Sequence, residues 1–386
     1  MRRLAILVVA LAACGGSDDG LGEPGTYQIA GTIQYEDRAP LPSGDLATAM
    51  PKPARGISVA VIAEDDGMTL VTGTTDDTGA YALEFDGISG EKIHILAVAT
   101  SAAPNRPIDV TDSENALHGF GGASIQAGVD TDHDVLITIA SDAAEAFNIF
   151  DTLVDVMDRI PAAFGSTTPP KLVAVWERGS VDGTYFDGRA MHLLGASDDN
   201  DGFDDTVIMH EAGHYIEDKL GRSDSPGGSH GGEPVNPTLA WSEGFSTYFA
   251  MAVRNSPIYM DSNADGGWSY NGDTSITRAS EVGLIGQNVS EDMITEILWD
   301  MGDADAGDDD PLTTDTNHDL VLSLEPFLKS AALRQIGKAG VDLVDALDGW
   351  FINEGLTSCD AMRTIISRHT FPYDFLATGA ACPAPL

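Results

Sequence analysis

The sequence predicts a multidomain protein in which an all-β sandwich is followed by an α+β, mostly helical domain. Short runs of alternating apolar and polar residues, separated by Gly, Pro and Asp clusters, fill the first third of the chain and favour the sandwich. Apolar residues at helical spacing dominate the rest. A length of 386 residues allows two or three such domains.

The predicted domain order divides the chain into four segments. They are a signal peptide, a Cys with a flexible tether, the β-sandwich and the helical domain: 1–13, 14–26, 27–140 and 141–386. The predicted strands of the sandwich are Tyr27–Tyr35, Ile57–Ala63, Thr69–Thr74, Ala80–Phe85, Lys92–Thr100 and Asp134–Ala140. The predicted elements of the second domain are helices Ala143–Ile160, Asp205–Leu220, Leu239–Ala250, Ser290–Met301, Leu320–Gly337 and Val341–Gly355, with a strand at Lys171–Trp176.

The start of the chain resembles a bacterial lipoprotein signal. Arg2-Arg3 precedes a short apolar run, and Leu11-Ala12-Ala13-Cys14 resembles a lipobox. The resemblance implies cleavage before Cys14 and acylation of that residue, with Gly15 favouring the outer membrane. The alternative is an ordinary secretory signal with an incidental Cys. The apolar run is too short to span a membrane, so we expect an exported, lipid-anchored envelope protein.

The net charge excludes some classes of binding partner, and the cysteine count limits the possible disulfides. The formal net charge is −41 and the pI is about 4.1, which repels nucleic acid and anionic membrane surfaces. Contact with the membrane is therefore expected through the lipid alone. Cys359 and Cys382 remain for one disulfide in an oxidising compartment; the alternative is two free thiols.

The segment His210-Glu211-Ala212-Gly213-His214 has the HExxH pattern of zinc peptidases. Residues four apart on a helix share a face, so His210 and His214 can present two imidazoles to one metal. Glu211 is then close enough to take a proton from water at the metal. The alternative is a structural helix with two satisfied histidines.

A third metal ligand is expected from the segment that follows. His230, in a glycine-rich loop, is one candidate. Glu243 is the stronger one, because a carboxylate on an otherwise apolar helix is costly unless it is paired or metal-bound.

HExxH followed by Trp241-Ser242-Glu243-Gly244-Phe245 resembles the gluzincins, especially the aminopeptidase N and leukotriene hydrolase branch. The resemblance implies Zn²⁺ held by His210, His214 and Glu243, with Glu211 as the general base. The spacing from the second His to the Glu is longer here, and Trp241 stands one residue closer to the Glu than in that branch. The branch's amine-anchoring Glu has no counterpart in Gly188–Leu194, which predicts an endopeptidase or a peptidase of unusual specificity. That segment could still form the sheet edge that pairs with an extended peptide.

A donor to the oxyanion of the tetrahedral intermediate is also expected. Tyr259 and Tyr270 are the candidates that we place in the catalytic set, with His318 as a third. Their order along the chain does not choose between them.

Two further resemblances complete the prediction. Thr74–Leu83 and Ala30-Gly31-Thr32-Ile33 resemble the carboxypeptidase regulatory-like, transthyretin-type fold, which implies a spacer or binding domain. The loop that contains Asp199, Asp201 and Asp204 has the closely spaced oxygen donors of a calcium site, or is a solvated turn.

The function expected from these features is a zinc-dependent peptide-bond hydrolase that acts on peptides or proteins at the cell envelope. Two alternatives remain open. One is a non-catalytic binding lipoprotein with a structural zinc site, and the other is a zinc hydrolase of a non-peptide substrate. Substrate specificity and oligomeric state are not indicated by the sequence.

Overall fold

The computed structural model describes residues 22–277, 284–304, 316–330, 337–354 and 359–373. The first part of the described chain consists of strands, as the sequence predicts, but helices and further strands alternate after it. The strands are β1 Pro24–Asp37, β2 Met50–Pro53, β3 Ser58–Ala63, β4 Thr69–Thr74, β5 Ala80–Ile88, β6 Lys92–Val98, β7 Thr100–Ser101, β8 Ile108–Thr111, β9 Gly119–Gly121, β10 Ile125–Gln126, β11 Val135–Ile137, β12 Leu172–Trp176, β13 Tyr185–Phe186, β14 Met191–Leu193, β15 Ile258–Asp261 and β16 Trp268–Asn271.

The helices are interleaved with the last five strands: the first follows β11, the next two lie between β14 and β15, and the others follow β16. They are α1 Ala144–Phe164, α2 Asp205–Lys219, α3 Pro237–Arg254, α4 Glu291–Gly302, α5 His318–Leu322, α6 Leu324–Ser330, α7 Leu343–Glu354 and α8 Cys359–Arg368. The chain is thus a multidomain α/β protein with mixed sheets. Among the described residues, no helix is long and apolar enough to span a membrane.

Two mainly antiparallel sheets form the N-terminal part. In one, β1 pairs with β2 and β5 in antiparallel fashion and with β11 in parallel. In the other, β3 lies between β4 and β6, and β6 also pairs with β9 and β10. Alternate residues of β5 and β6 are buried, as in strands with one face on a core.

A third sheet crosses the predicted boundary at residue 140. Its order is β13, β14, β12, β8 and β7. β8 comes from the N-terminal part, yet it pairs in parallel with β12, with Leu172 opposite Ile108. The division at residue 140 stays a prediction, and the strand pairing runs across it.

Helix α3 packs against α2 on one side and α4 on the other, and α2 and α3 carry the predicted metal ligands. Gly213 of α2 faces α3 so closely that a Cβ there would lie 2.7 Å from Ser246 Cα. Gly244 makes the equivalent approach from α3 to α4, where a Cβ would lie 2.6 Å from the carbonyl oxygen of Glu291. These contacts bring hydroxyl and carboxylate side chains of α3 against the histidines of α2.

The structure differs from the prediction at several helix ends. Asp204 precedes α2 but makes no capping hydrogen bond, because its carboxylate accepts from Ser262 Oγ at 2.9 Å. The predicted helix 320–337 is divided at Ser323 into α5 and α6, and residues 331–336 lie outside the described ranges. Cys14 and Cys382 also lie outside them.

Candidate metal centre and active-site cleft

Two imidazoles of α2 and one carboxylate of α3 converge on a single point. Glu243 Oε2 lies 3.2 Å from His210 Nε2 and 3.1 Å from His214 Nε2. The helical spacing places both histidines on the same face of α2, and the close approach of α3 brings Glu243 opposite them. The sequence prediction of these three residues as one cluster corresponds to this geometry.

Hydroxyl groups of α3 form hydrogen bonds with the Nδ1 atoms of both histidines. Thr247 Oγ1 lies 3.1 Å from His210 Nδ1, and Ser242 Oγ and Ser246 Oγ lie 3.2 Å and 3.0 Å from His214 Nδ1. Ser242 Oγ also donates to Glu217 Oε2 at 2.6 Å. Each imidazole is thereby oriented through Nδ1, which directs Nε2 toward Glu243.

The donor set fits a zinc ion. Two imidazole nitrogens and a carboxylate oxygen are the ligands of catalytic zinc sites with an open fourth position. Glu211 lies beside them, with one carboxylate oxygen within 4.8 Å of a ring nitrogen of His210 and of His214. Its Oε2 is buried without a hydrogen-bond partner among the described atoms. Glu243 could supply the carboxylate of this set, because its Oε2 contacts both Nε2 atoms directly.

The protonation of these groups follows from burial and from their neighbours. Burial alone would raise the pKa of Glu243, but the hydrogen bonds and charges of His210 and His214 outweigh it and hold that pKa below its ordinary value. Burial raises the pKa of Glu211, partly offset by the same two histidines. A carboxyl whose charged form is disfavoured is suited to accept a proton.

The cluster lies at the base of a cleft of about 1200 Å³. The walls come from the loops after β14 and α2, from the β15–β16 hairpin and from the start of α4. β13 also lines the cleft, whereas β14 is paired on both sides, with β12 and β13. The prediction that Gly188–Leu194 forms the free sheet edge is therefore wrong for its strand β14, since β13 covers it.

His230 lies closer to the cluster than the sequence alone could indicate. Its Nδ1 is 3.0 Å from Glu291 Oε2 at the start of α4, and its Nε2 is 3.5 Å from Glu243 Oε2. The contact with Glu291 raises the pKa of His230. Gly228 and Gly232, with φ of 134° and 89°, allow the loop to turn on either side of it.

The three predicted oxyanion donors occupy different positions. The ring of Tyr259 packs edge-on against His210, with centroids 6.1 Å apart. Tyr270 lines the cleft, but its hydroxyl donates to Glu296 Oε1 at 2.9 Å. His318 is buried between Tyr248 and Trp299 and does not line the cleft. Tyr259 is thus the one of the three whose ring contacts a proposed ligand.

The acidic loop also differs from its predicted grouping. Asp199 and Asp201 lie within 4.8 Å of a carboxylate oxygen of Asp261, from β15. Asp204 is not in that group, and its Oδ2 accepts a hydrogen bond from Ser262 Oγ instead. Sequence reasoning missed Asp261, since only the pairing of β15 and β16 brings it to the loop. Calcium at this cluster stays a prediction.

The C-terminal cysteines are only partly described. Cys359 at the start of α8 is disulfide-bonded. The other predicted partner, Cys382, lies outside the described residues, so the pairing stays a prediction.

A family model described as the Mycolysin C-terminal domain matches residues 163–344. The match covers slightly less than half of the chain and includes α2, α3 and α4. It gives the cluster a metallopeptidase context and indicates a hydrolase of peptides or proteins. It does not extend to the resemblance to the aminopeptidase N branch or to the lipoprotein signal.

Other comparisons add little. Curated proteins give no match. A 9R-lipoxygenase from Cyanothece PCC8801 is 13% identical over 38% of this chain and 25% of its own, with a TM-score of 0.17. The plantain pollen allergen Pla l 1 is 14% identical over 30% of this chain and 92% of its own, also with a TM-score of 0.17. At such scores neither likeness supports a conclusion.

Proposed function

We propose that this protein is a zinc-dependent peptide-bond hydrolase of gluzincin type, acting as an endopeptidase. The observation that supports it most strongly is the convergence of His210 Nε2 and His214 Nε2 on Glu243 Oε2, at 3.2 Å and 3.1 Å, at the base of an open cleft. The match to the Mycolysin C-terminal domain over the same helices supports the metallopeptidase context.

Each residue of the cluster has a defined task in this proposal. His210, His214 and Glu243 would hold the zinc ion, and Thr247, Ser242 and Ser246 would orient the two imidazoles. When bound, zinc would polarise the scissile carbonyl and lower the pKa of water.

Glu211 would take the proton of the attacking water and pass it to the leaving amine. Its buried Oε2 without a hydrogen-bond partner is available for that transfer. Tyr259 is the proposed oxyanion donor, because its ring packs against His210. Tyr270 is less suited, since its hydroxyl already donates to Glu296.

Glu211→Gln tests the mechanism. The substitution keeps the size of the side chain but removes the base, so zinc content should be retained while turnover of a peptide library falls by roughly 10²–10⁴-fold. Asp218→Asn, which removes a lining carboxylate that Lys219 pairs at 2.7 Å, is the matched control and should retain activity. A Glu211→Gln protein with normal turnover would contradict the proposal.

A closed structural zinc site is the second candidate, and one observation favours it. His230 Nε2 lies 3.5 Å from Glu243 Oε2, near enough for a small loop movement to make it a fourth ligand. Cobalt substitution separates the two candidates. An absorption spectrum that is the same in the parent and in His230→Ala supports the open, catalytic site. A spectrum that loses a nitrogen ligand in the variant supports the closed one.

The location and the β module are part of the proposal as well. Cys14 would carry the lipid that anchors the protein to the envelope, and Cys14→Ser should abolish labelling by palmitate and release the protein from membranes. The transthyretin-type module would serve as a spacer or binding domain. Labelling that persists in Cys14→Ser would contradict the anchor.

A further inference from the structure

One wall of the cleft carries three carboxylates close together. Oxygens of Asp199, Asp201 and Asp261 lie within 4.8 Å of one another, and all three side chains line the cleft. Their hydrogen-bond donors are neutral: Thr184 Oγ1 donates to Asp201, and Trp268 Nε1 donates to Asp261 at 3.2 Å. Within the described parts of the chain, no Lys or Arg side chain lines the cleft.

The described residues that line this wall include no Lys or Arg to balance the three carboxylates. Burial and then the charges of Asp261 and Asp199 raise the pKa of Asp201 to about 7, despite the hydrogen bond from Thr184. Burial and the charge of Asp199 raise the pKa of Asp261 as well. A cation placed between these groups would relieve their mutual repulsion.

The wall adjoins the proposed catalytic centre. Tyr259 packs against His210 with centroids 6.1 Å apart, and it stacks on Trp268 with centroids 5.4 Å apart. Trp268 in turn contacts Asp261. The two rings therefore connect the metal cluster to the carboxylates.

A second observation points to a ligand in the same cleft. Glu211 is 6% exposed, lines the cleft, and leaves Oε2 without a hydrogen-bond partner among the described atoms. A buried polar atom in this state is costly unless a ligand supplies the missing partner. A ligand that contacts Glu211 and extends past Trp268 would reach the three carboxylates in the same cleft.

We infer that the cleft selects peptides with a Lys or Arg side chain close to the scissile bond, whose cationic end binds at the wall of Asp199, Asp201 and Asp261. The inference rests on the proposed function. The aliphatic stem of such a side chain can lie along Trp268, which is 50% exposed, while the charge reaches the carboxylates. An acidic side chain would be repelled at the same place.

The test uses quenched fluorescent peptides that are identical except for one position, which carries Lys, Gln or Glu. Each position on either side of the scissile bond is varied in turn, in the presence of a calcium chelator. The parent is compared with the double variant Asp199→Asn/Asp261→Asn. The control is Asp218→Asn, which removes a cleft charge that Lys219 already neutralises at 2.7 Å.

We expect kcat/KM for one Lys peptide to exceed that for its Glu counterpart by roughly tenfold or more. The double variant should lose most of this preference while retaining turnover of the Gln peptide and its zinc, whereas Asp218→Asn should keep it. Added salt should weaken the preference. Equal rates for all three peptides in the parent, or a preference that survives in the double variant, would overturn the inference.

A binding measurement separates this inference from the proposed function. Fluorescence anisotropy with Glu211→Gln measures the affinity for labelled Lys and Glu peptides without hydrolysis. Tighter binding of the Lys peptide that depends on Asp199 and Asp261 supports the inference even if no peptide is cleaved. Hydrolysis without charge preference overturns the inference and leaves the function intact.

Calcium is the other cation that these carboxylates could bind. A calcium titration by calorimetry, on the parent and the double variant, distinguishes it from a basic side chain. Calcium that binds tightly only to the parent and abolishes the Lys preference would assign the wall to the metal and overturn the inference. A Lys preference that persists at saturating calcium supports it.

Discussion

Ser242 Oγ donates to Glu217 Oε2 at 2.6 Å while lying 3.2 Å from His214 Nδ1. The buried carboxylate of Glu217 is itself 4.0 Å from that ring nitrogen, so the serine connects it to one of the proposed zinc ligands. This arrangement makes the orientation of His214 depend on a residue one turn further along the same helix.

Ser242→Ala should therefore weaken zinc binding without removing a ligand. Loss of an outer partner of a metal-bound imidazole lowers metal affinity by roughly 10–100-fold. Competition with a fluorescent zinc chelator measures the change. Ser367→Ala, on an exposed part of α8, is the control, and equal affinities in the two variants would refute the role of Ser242.

Glu243→Ala should have a larger effect. The substitution removes the only oxygen that contacts both Nε2 atoms among the described residues, so zinc per chain should fall well below the one equivalent expected of the parent. Metal analysis after remetallation measures this. Glu233→Ala, in the exposed loop, should keep the parent value. Undiminished zinc in Glu243→Ala would shift the third ligand to His230.

Gly213→Ala should destabilise the protein and disturb the site together. A Cβ at this position would lie 2.7 Å from Ser246 Cα, so α2 and α3 must separate to accommodate it. Overpacking of this kind costs roughly 1–3 kcal/mol. Thermal unfolding should show a lower Tm than for Gly121→Ala, where the added carbon makes an ordinary 3.5 Å contact with His94. Equal Tm values would show that the helices are not tightly apposed.

His369 should give a pH-dependent contribution to stability. It is buried, with Nε2 2.7 Å from Asp300 Oδ2 and Nδ1 3.2 Å from Glu296 Oε2. Burial alone would lower the pKa of His369, but these carboxylates outweigh it and raise the pKa from 6.5 to about 9. The stabilisation is therefore complete below pH 6.5 and is lost as the pH rises through about 9.

Urea unfolding at several pH values tests this. His369→Gln should be less stable than the parent by roughly 3–5 kcal/mol at neutral pH, because Glu296 and Asp300 lose the buried imidazolium between them, although Arg368 Nη1 stays 3.8 Å from Asp300 Oδ2. The difference between the two proteins should shrink as the pH rises toward the folded pKa. A difference that does not vary with pH would contradict the prediction.

Local features of the site could be predicted from the sequence. The spacing of His210 and His214 fixes a common helical face, and a carboxylate on an apolar helix identifies Glu243 as a group that needs a partner. Helices and strands with a strong periodicity of apolar residues could also be predicted, because that pattern is local. The strand Thr69–Thr74 has the predicted bounds, and Leu172–Trp176 begins one residue late.

Contacts between residues far apart in the chain could not be predicted from the sequence. Asp261 joins Asp199 and Asp201 only because β15 and β16 form a hairpin beside the acidic loop, and nothing near it in the chain signals that contact. The sequence offers His230 as a candidate ligand, but its contact with Glu291 depends on where α4 begins in space. The pairing of β8 with β12 spans more than sixty residues and has no local signature.

That last pairing has a practical consequence for dissecting the protein. A fragment that begins at residue 141 would lack β8 and leave one edge of the buried strand β12 unpaired, a template for aggregation. The chain therefore cannot be divided at that position into two parts that fold independently. Any truncation that aims to isolate the helices must retain residues 100–118, which contain β8. That strand also contacts the rest of the β module, because Val110 N–H donates to the carbonyl oxygen of Ala99.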